Sequence, residues 1–555
     1  MKKLFWSFLM GMMLMSCARV GSPVGGSKDT IPPNFLRSNI DSPRTNVSRN
    51  LKELRLYFDE YVKLKNVQKN LIISPPIKKM TRMLPSNLAN KYILLEWEDE
   101  LEENTTYNFN FGNAIVDNNE ENVLPYFNFA FTTGDKLDEN YISGEVSAIY
   151  QKSNTKSKNI VVGLYKSSDS INYKNKPYYV TRADDDGYYE INYIAPGKYK
   201  LIAFGDENEN TIYDPGQEDV AFIKEDIDLT QSISGQKLNL YPSKKAPKFS
   251  ELKAMPGGIQ MIFEKGPETL EVFSKSDKLK DIKVTHKAYS DTARIWFDTK
   301  KFDPKTTENV KLAYHMDSKL DSTSLFYKPE AKSEMTLAMV DAKLVPFQPL
   351  KIQSNYHIES IDTSKWVLKS DSVTVQPFEA EISKTNPFQV LVKSDFKEGK
   401  EYQLTVVKNS IRSFYEANNN SYRFDFTVDK IENYSNLLIK LINRPETYFW
   451  VELLDSNNNV IYSKYTNEEE VKFSFINPQT YTVRMLVDTN NNGIWDVSDL
   501  QEGVQAEPVY MFYKVLTPRP LWELNEQWDI KDPRSLELPK KVINSMSISM
   551  NSASR

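Results

Sequence analysis

The chain has 555 residues, a net charge of −5 at pH 7, 26% charged residues and 12% aromatic residues. This length is too great for a single hydrophobic core and predicts about three to five domains. Lys and Arg form no basic cluster of the kind that contacts phosphates, so we expect no nucleic-acid partner. The many Tyr and Phe residues favour strands over helices.

The N-terminus has the pattern of an export signal. Lys2 and Lys3 precede an apolar run at 4–15, and Ser16 stands before Cys17. The run is too short to span a bilayer, so residues 1–16 are predicted to be a signal peptide. The stretch from Leu14 to Cys17 resembles the lipobox of bacterial lipoproteins, which implies that Cys17 is lipidated. The alternative is an ordinary signal peptide with an incidental cysteine, although the sequence contains no other cysteine.

Residues 17–32 are predicted to be a lipidated tether, because 21–27 are rich in Gly and Ser. The later chain has no apolar run of membrane-spanning length, so we expect membrane contact through the lipid alone. Residues 18–22 lack the acidic run that resembles a surface-export tag of Bacteroidota lipoproteins. We therefore expect an outer-membrane lipoprotein of the cell envelope, on the periplasmic face rather than the cell surface.

Residues 33–135 alternate between apolar and polar positions, as in Leu54, Leu56 and Phe58, which predicts half-buried strands. Several motifs here together resemble the SbsA-type bacterial Ig-like domain. They are Thr30 to Pro33, Leu54 to Val62, Leu101 to Tyr107, Ile115 to Asp117 and Phe129 to Gly134. The resemblance implies a β-sandwich and no particular activity.

The next module is predicted at 136–245. Asp186-Gly187 lies between extended runs and predicts a tight hairpin. The run from Gly187 through Pro196-Gly197 to Leu201 resembles the transthyretin-like, carboxypeptidase-regulatory type of small β-sandwich. That resemblance again implies a fold without a specific activity.

Both modules recur further along the chain. Ile194, Pro196, Tyr199 and Asp206 have counterparts 282 positions later, and Tyr107, Phe129 and Phe131 have counterparts 295 positions later. These shifts predict a degenerate Ig-like domain at 336–430 and a second transthyretin-like sandwich at 431–525. Residues 246–335 are predicted to form a β domain of no assigned family, and 526–555 a disordered tail. The predicted fold class is all-β, with tandem Ig-like and transthyretin-like β-sandwich domains.

A loop rich in Asp and Asn follows the repeated strand in each copy. Oxygen side chains at the first, third, fifth and ninth positions, with a backbone carbonyl at the seventh, match the spacing of a calcium loop. We therefore predict a structural Ca²⁺ site in the second loop, and a weaker one in the first. The second would use Asp488, Asn490, Asn492, Ile494, Asp496 and Asp499, and the first Asp206, Asn208, Asn210, Ile212 and Asp214. The alternative is that these residues only form Asx turns in solvated loops.

Catalytic patterns are weak throughout the sequence. The three histidines, His286, His315 and His357, share no ligand spacing, and no Gly-x-Ser-x-Gly motif occurs. The acidic clusters 59–60 and 184–186 fit turns and strand ends better than a carboxylate pair. We therefore expect that the protein is not an enzyme.

The leading hypothesis is a non-enzymatic outer-membrane lipoprotein whose β-modules act as a scaffold, spacer or protein-binding surface, with envelope proteins as partners. The alternative is a surface glycan-binding lipoprotein of a polysaccharide-capture system. That alternative depends on the aromatic pairs 178–179, 188–189 and 512–513 forming platforms for sugar rings, rather than alternating between core and surface.

Overall fold

The computed structural model describes residues 28–150, 159–167, 170–329, 334–371 and 373–539. The predicted signal peptide, Cys17 and most of the predicted tether lie outside these residues. Strands take up 48% of the chain and helices 4%, which confirms the predicted all-β class. Within the described ranges, no helix combines the length and apolarity needed to cross a membrane.

The chain divides into two compact units. The first holds the described residues within 28–146, 159–213 and 225–237, and the second holds those within 147–150, 214–224 and 238–539. The second module is thus shared between the units, because its connecting segments cluster with the later part of the chain.

The first sandwich has two sheets, ordered β1-β2-β5-β4, with β7 added beside β2, and β3-β6-β8. Leu54, Leu56 and Phe58 alternate on β2 and are at most 2% exposed, as the apolar alternation predicts. The elements are β1 (Phe35–Ser38), β2 (Glu53–Leu64), α1 (Val67–Asn70), β3 (Ile72–Ser74), β4 (Met80–Leu84), β5 (Asn90–Trp97), β6 (Thr106–Gly112), β7 (Ile115–Asp117) and β8 (Phe127–Thr132).

In the next module, β10 pairs with β11 and β13, whereas β12 pairs with β9. The predicted tight hairpin at 186–187 is wrong: the turn exists, with the Gly187 N–H donating to Asp184 O at 3.0 Å, but it joins strands of different sheets. Turn residues determine where the chain reverses direction, but they do not determine which strand the next strand pairs with. The strands are β9 (Asn140–Ser147), β10 (Ile160–Lys166), β11 (Tyr179–Arg182), β12 (Tyr188–Ile194), β13 (Lys198–Gly205), β14 (Val220–Phe222), β15 (Ile227–Asp228) and β16 (Ile233–Asn239).

The segment without an assigned family also forms two sheets, β17-β18-β21-β20 and β19-β22-β23. Ile259, Met261 and Phe263 alternate on β18 and are at most 3% exposed, inside a shared hydrophobic core. The elements are β17 (Lys248–Met255), β18 (Gly258–Lys265), β19 (Leu270–Phe273), β20 (Lys283–His286), β21 (Thr292–Trp296), β22 (Glu308–Met316) and β23 (Lys319–Tyr327), with 3-10 turns at Asp277–Leu279 and Thr299–Lys301.

The fourth sandwich has sheets β24-β26-β31-β30 and β25-β34-β32-β28-β29, with β27 pairing β33. Its core also takes in Trp296 of the preceding sandwich. The elements are β24 (Leu337–Met339), β25 (Lys343–Leu344), β26 (Leu350–Ser354), β27 (Ser360–Ile361), β28 (Val367–Ser370), β29 (Thr374–Gln376), β30 (Glu379–Ile382), β31 (Gln389–Lys393), β32 (Glu401–Val406), β33 (Ile411–Arg412) and β34 (Tyr422–Val428), with 3-10 turns at Phe414–Glu416 and Ile431–Asn433.

The fifth sandwich has sheets β38-β35-β41 and β37-β36-β39-β40. Its elements are β35 (Ser435–Ile442), β36 (Tyr448–Leu454), β37 (Val460–Thr466), β38 (Glu470–Ile476), β39 (Thr482–Asp488), β40 (Val509–Met511) and β41 (Glu523–Asp529), with a 3-10 turn at Pro533–Leu536.

The prediction that disorder begins at residue 526 is wrong for 526–539. The last strand, β41, pairs in parallel with β35, and the side chain of Trp528 is fully buried. Most residues of β41 are polar because the strand lies at a sheet edge. The buried indole of Trp528 holds it in place, although the strand has no alternating apolar pattern. Residues 540–555 lie outside the described residues.

The two repeats carry matched hydrogen bonds. Tyr199 donates its hydroxyl to Ala195 O at 2.9 Å, and Tyr481, 282 positions later, donates to Asn477 O at 2.7 Å. In the first and fourth sandwiches, Tyr107 accepts the Glu102 N–H and Tyr402 accepts the Lys397 N–H, both at 2.8 Å. The shifts of 282 and 295 found in the sequence therefore align equivalent contacts.

Gly144 on β9 provides a test of close strand packing. A Cβ built at Gly144 would lie 1.8 Å from Gln236 O, whereas one at Gly197 would meet nothing nearer than 3.4 Å. We expect Gly144→Ala to lower the free energy of local opening by about 2 kcal/mol or more, because backbone must move. Hydrogen exchange of the β9 and β12 amides measures this. Gly197→Ala is the matched control, and equal protection in both variants would contradict the packing.

Candidate functional site

The two Asx-rich loops begin in the same way. Asp206 follows β13 and Asp488 ends β39, and both are fully buried. Asp206 Oδ1 accepts the N–H groups of the fourth and fifth residues beyond it, at 2.9 and 3.1 Å. Asp488 accepts the equivalent pair at 3.0 and 2.8 Å. Each carboxylate therefore organises its loop through backbone donors.

Hydrogen bonds within the second loop join five of its six predicted ligand residues. Asp496 Oδ2 accepts the side-chain amides of Asn490 at 2.7 Å and Asn492 at 3.1 Å, and Asn492 also donates its N–H to Asp488. The N–H of Ile494 donates to Asn492 Oδ1 at 2.8 Å. The loop thus holds carboxylate and amide oxygens, the ligand types that Ca²⁺ prefers, while the amide oxygens of Asn490 and Asn492 accept the N–H groups of Asn492 and Ile494.

Asp499, the predicted ligand at the twelfth position, is held elsewhere. One of its oxygens lies 3.3 Å from Lys244 Nζ, and the other accepts the Glu502 N–H at 3.2 Å. Its N–H also pairs with Val504 O in an isolated bridge. Asp499 therefore closes the following turn instead of facing the loop.

The first loop differs in the partner of its buried aspartate. Arg182 Nη2 lies 2.9 Å from Asp206 Oδ2, with the Arg182 side chain 14% exposed. Asn208 Oδ1 and Asn210 Oδ1 accept the N–H groups of Asn210 and Ile212. The guanidinium already supplies positive charge at this carboxylate. Separately, the N–H of Asp214 donates to Glu218 Oε2 at 2.9 Å.

The equivalent position in the second loop carries a neutral partner. Tyr465 donates its hydroxyl to Asp488 Oδ2 at 2.6 Å. Burial, followed by this hydrogen bond, raises the pKa of Tyr465 to about 12, so the hydroxyl stays protonated at neutral pH. Asp488 is therefore paired with a neutral hydroxyl, whereas Asp206 of the first loop is paired with the cationic Arg182.

Glu507 is a loop residue that the sequence analysis missed. It is 5% exposed and accepts both the N–H and the hydroxyl of Thr489 at 2.6 Å, and the N–H of Asp496 at 2.9 Å. In the first loop, Glu218 accepts the N–H of the matching Asp214 from only four residues away. The sequence did not reveal this shared role, because Glu218 lies four residues after Asp214 whereas Glu507 lies eleven residues after Asp496.

The second loop adjoins a buried polar cluster on the outer face of sheet β37-β36-β39-β40, which we term the docking face. Trp495 of the loop stacks on Tyr150 with ring centroids 4.5 Å apart. The Arg484 guanidinium lies 4.6 Å from the centre of the Tyr150 ring and 2.7 Å from Glu452 Oε2, and both charged side chains are at most 11% exposed. Apolar side chains surround them: Ile149, Tyr241, Trp450, Leu486, Val509 and Met511.

Backbone bonds extend this contact. The Lys244 N–H donates to Ser498 O at 2.7 Å, and the Ser498 N–H donates to Pro242 O at 3.1 Å. Gln505 Nε2 donates to Phe222 O at 2.9 Å. Segments 147–150, 214–224 and 238–245 of the second unit are thus fixed to the fifth sandwich, although they precede it by about 200 or more residues in the chain.

The other sequence candidates do not converge. His286, His315 and His357 are half-buried on separate strands or turns, and burial lowers the pKa of His286 and of His357. Across the described ranges, no three side chains of His, Cys, Asp or Glu group as a metal site. A cation at the second loop would therefore depend on asparagine oxygens as well as carboxylates.

The predicted acidic clusters have structural partners. Asp59 accepts the backbone and side-chain N–H groups of Asn34 at 2.8 and 3.0 Å, and the backbone bond is the main cause of its lowered pKa. Burial, and next the charge of Asp117, raise the pKa of Glu60. Asp184 Oδ1 accepts the N–H groups of Asp186 and Tyr188, so it forms the turn before β12.

The three aromatic pairs alternate between core and surface. Tyr179, Tyr189 and Phe512 are at most 1% exposed, whereas Tyr188 is 49% exposed. Only the pair 188–189 lies within a strand, where adjacent residues point to opposite faces. In all three pairs one ring is buried, so no pair presents two exposed rings on one surface.

Comparisons with known proteins identify two modules. A family model described as bacterial Ig-like domain matches residues 29–133, and one described as polysaccharide lyase family 4, domain II, a fibronectin-type module, matches residues 148–220. Neither covers half of the chain, and no curated protein matches it. The Ig-like match confirms the predicted domain type at the N-terminal sandwich.

Several solved structures align at low similarity. The Bacillus anthracis TIE protein is 9% identical, with 91% of this chain and 75% of that chain covered and a TM-score of 0.12. The major pilin subunit BcpA of Bacillus cereus is 9% identical over 71% and 99%, with a TM-score of 0.13. Surface layer protein SbsC, domains 1–6, is 12% identical over 88% and 68%, with a TM-score of 0.14. Scores this low carry no argument about function.

The glutamate behind the second loop gives a direct test. In Glu507→Gln, one acceptor becomes a donor that faces the Thr489 or the Asp496 N–H. We expect hydrogen exchange at these two amides to be about tenfold faster or more, because a buried N–H loses its partner. Glu502→Gln, at an exposed carboxylate of the same segment, is the control. Unchanged exchange at both amides would show that Glu507 does not hold the loop.

Proposed function

We propose that the protein is a non-enzymatic scaffold of the cell envelope. It would be a lipoprotein of the Bacteroidota type, held at the outer membrane through a lipid on Cys17, with the periplasmic face as its location. Envelope proteins are the proposed partners of its β-sandwich modules. Within this proposal, the N-terminal sandwich is SbsA-like, the fourth is a degenerate Ig-like domain, and the second and fifth are transthyretin-like.

The observation that carries the proposal is the docking face. A buried ion pair is stable only when its geometry is held and its remaining donors are satisfied. Arg484 and Glu452 meet this condition beneath Tyr150, and Trp495 stacks on the same ring. Segments 147–150 and 238–245 are bound to the fifth sandwich within the second unit. The surfaces of this unit therefore keep a fixed separation. Fixed spacing is what a scaffold requires.

We further propose that the second loop is a structural calcium site. Asp488, Asn490, Asn492 and Asp496 lie in one hydrogen-bonded group, and the partner of Asp488 is the neutral Tyr465. The first loop is less suited, because the guanidinium of Arg182 already neutralises Asp206. A bound Ca²⁺ would fix the loop that carries Trp495, and so would stabilise the docking face.

Membrane attachment is tested by replacing the predicted lipidated residue. In Cys17→Ser, no acyl chain can be added, so we expect the protein to move from the detergent phase to the aqueous phase after phase separation. The wild-type protein treated in parallel is the control. A variant that stays in the detergent phase would contradict anchoring by lipid.

Location is tested by protease treatment of intact and lysed cells, followed by blotting. We expect the protein to survive in intact cells and to be digested after lysis, because the outer membrane shields the periplasmic face. Loss from intact cells would contradict that placement and favour the surface glycan-binding alternative.

Calcium is tested by chelation. At a free ligand concentration of 100 times Kd, binding stabilises the folded state by about 2.7 kcal/mol, so EGTA should lower the Tm by several degrees. Asn490→Ala should abolish this effect, whereas Asn208→Ala, the matched change in the first loop, should leave it intact. A Tm that is unaffected by EGTA in the wild-type protein would exclude the site.

A further inference from the structure

The last strand of the third sandwich has a free edge. β23 is nine residues long and pairs with β22 along its whole length without a register shift. Within the described ranges, no strand pairs along its other side. A strand edge of this kind presents a row of N–H and C=O groups that can bind another strand. The proposed scaffold role makes no use of it.

The other sheet of the same sandwich has an edge that is protected against such pairing. Its outer strand, β17, has two register shifts, and the ion pair between Lys253 and Glu251 lies on it at 2.7 Å. Bulges and charges prevent pairing between sheet edges. β23 has neither a bulge nor a proline, and its two charged residues, Lys319 and Asp321, lie near one end. The edge of β23 is therefore open to a partner strand.

The backbone groups that face this edge belong to alternate residues. A two-residue turn at 317–318 joins β22 to β23, so Met316 and Lys319 close it as a hydrogen-bonded pair. Every second residue from Lys319 onward therefore bonds to β22. The Ser322 N–H, which points outward, donates to the carboxylate of the adjacent Asp321 at 2.8 Å, and a partner strand would replace this local bond. The residues whose N–H and C=O groups point outward are 320, 322, 324 and 326.

The same alternate residues place apolar side chains on the outer face of the sheet. Leu320 is 60% exposed and Phe326 is 77% exposed, and the two residues at 322 and 324 between them are serines. His315 lies opposite Leu320 on β22, and its ring centroid is 5.8 Å from that of Phe273 on β19. Phe273 is itself 43% exposed. Apolar surface thus extends across the sheet and reaches the free edge.

β23 is complementary to itself when two copies pair in antiparallel orientation. With Thr323 of each copy opposite Thr323 of the other, Leu320 of each copy lies opposite the partner's Phe326. The two serines lie opposite each other in the same way. Every outward residue thus meets an outward residue, so the free N–H and C=O groups of both edges can bond to each other. The exposed apolar side chains of the two copies would then bury each other.

The charges of the strand are compatible with this register. Lys319 would lie opposite Tyr327, and Asp321 would lie opposite Leu325. No like charges are therefore opposed, which is the arrangement that destabilises strand pairs. Because two-fold pairing uses the same edge in both copies, assembly through this edge stops at two.

We propose that two copies of this chain associate through antiparallel pairing of their β23 edges. The two sheets β19-β22-β23 would then form one continuous sheet across the two-fold axis. The partner is a second copy of the chain because the pattern of apolar, serine and charged residues matches its own reverse. The association is independent of the docking face, of the Asx-rich loops and of the proposed envelope partners.

The test is sedimentation equilibrium of the full-length protein with Cys17→Ser, so that no lipid micelle contributes to the mass. We expect a monomer–dimer equilibrium with a Kd of about 100 μM or tighter, as suits a small interface. Phe326→Lys should weaken it at least about tenfold, because the partner's Leu320 loses its apolar neighbour. Ser324→Pro should also weaken it, by removing an outward N–H while the bonds to β22 remain. Val375→Lys, at a residue 66% exposed on the edge strand β29, is the matched control.

The register is tested by Thr323→Cys in the same background, oxidised with glutathione disulfide. The two-fold axis places this position opposite itself in a pair without backbone hydrogen bonds, which is the closer type of pair. We therefore expect a disulfide-linked dimer. Val375→Cys measures cross-linking by chance collision. Equal cross-linking of the two variants would overturn the register, and the proposal with it.

Melting curves establish that each variant is folded before its mass is compared. The proposal is overturned if the protein stays monomeric at concentrations well above about 100 μM. It is also overturned if the dimer persists unchanged in both Phe326→Lys and Ser324→Pro, which would place the contact elsewhere. Assembly beyond a dimer through this edge would contradict two-fold pairing. A monomeric protein whose Thr323→Cys variant is cross-linked in cells to a different protein would assign the edge to that protein instead.

Discussion

Four of the five sandwiches depend on a buried tyrosine whose hydroxyl has found a backbone partner. A tyrosine fills a core with a large ring but leaves a polar atom that is costly if unpaired. In the first and fourth sandwiches the hydroxyl accepts an N–H from five residues before it, and in the second and fifth it donates to a carbonyl four residues before it. The bond fixes the path of the chain into the strand that carries the tyrosine. The residues concerned are Tyr107, Tyr199, Tyr402 and Tyr481.

These tyrosines explain why the repeats are visible in the sequence despite little other identity. A residue that satisfies both packing and hydrogen bonding tolerates few replacements, whereas its neighbours need only be apolar or polar in alternation. The strands and the two shifts could therefore be predicted from periodicity and from a few fixed positions. The turn at Gly187 could not, because local turn chemistry does not state which sheet the next strand joins.

The spacing of Asp and Asn residues located the two candidate loops. It did not predict which side chains contact the loop aspartates. Arg182 on β11 and Tyr465 on β37 reach equivalent aspartates across one intervening strand, so the difference between the two loops arises from residues distant in the sequence. Glu507 reaches the second loop from eleven residues beyond Asp496. A cavity beside Trp296 combines residues from five separated stretches of chain, and no single stretch has a pattern that indicates it.

The parallel pairing of β41 with β35 has a consequence for biogenesis. A ribosome delivers β35 early and β41 last among the strands of that sandwich, so its sheet stays incomplete until Trp528 has been synthesised. The side chains at 149, 150 and 241 cannot pack before this sandwich has formed, because their partners lie on it. Part of the chain thus keeps apolar surface exposed until the last strand has been synthesised. Such a chain depends on holding chaperones during its synthesis more than a row of independently folding modules would.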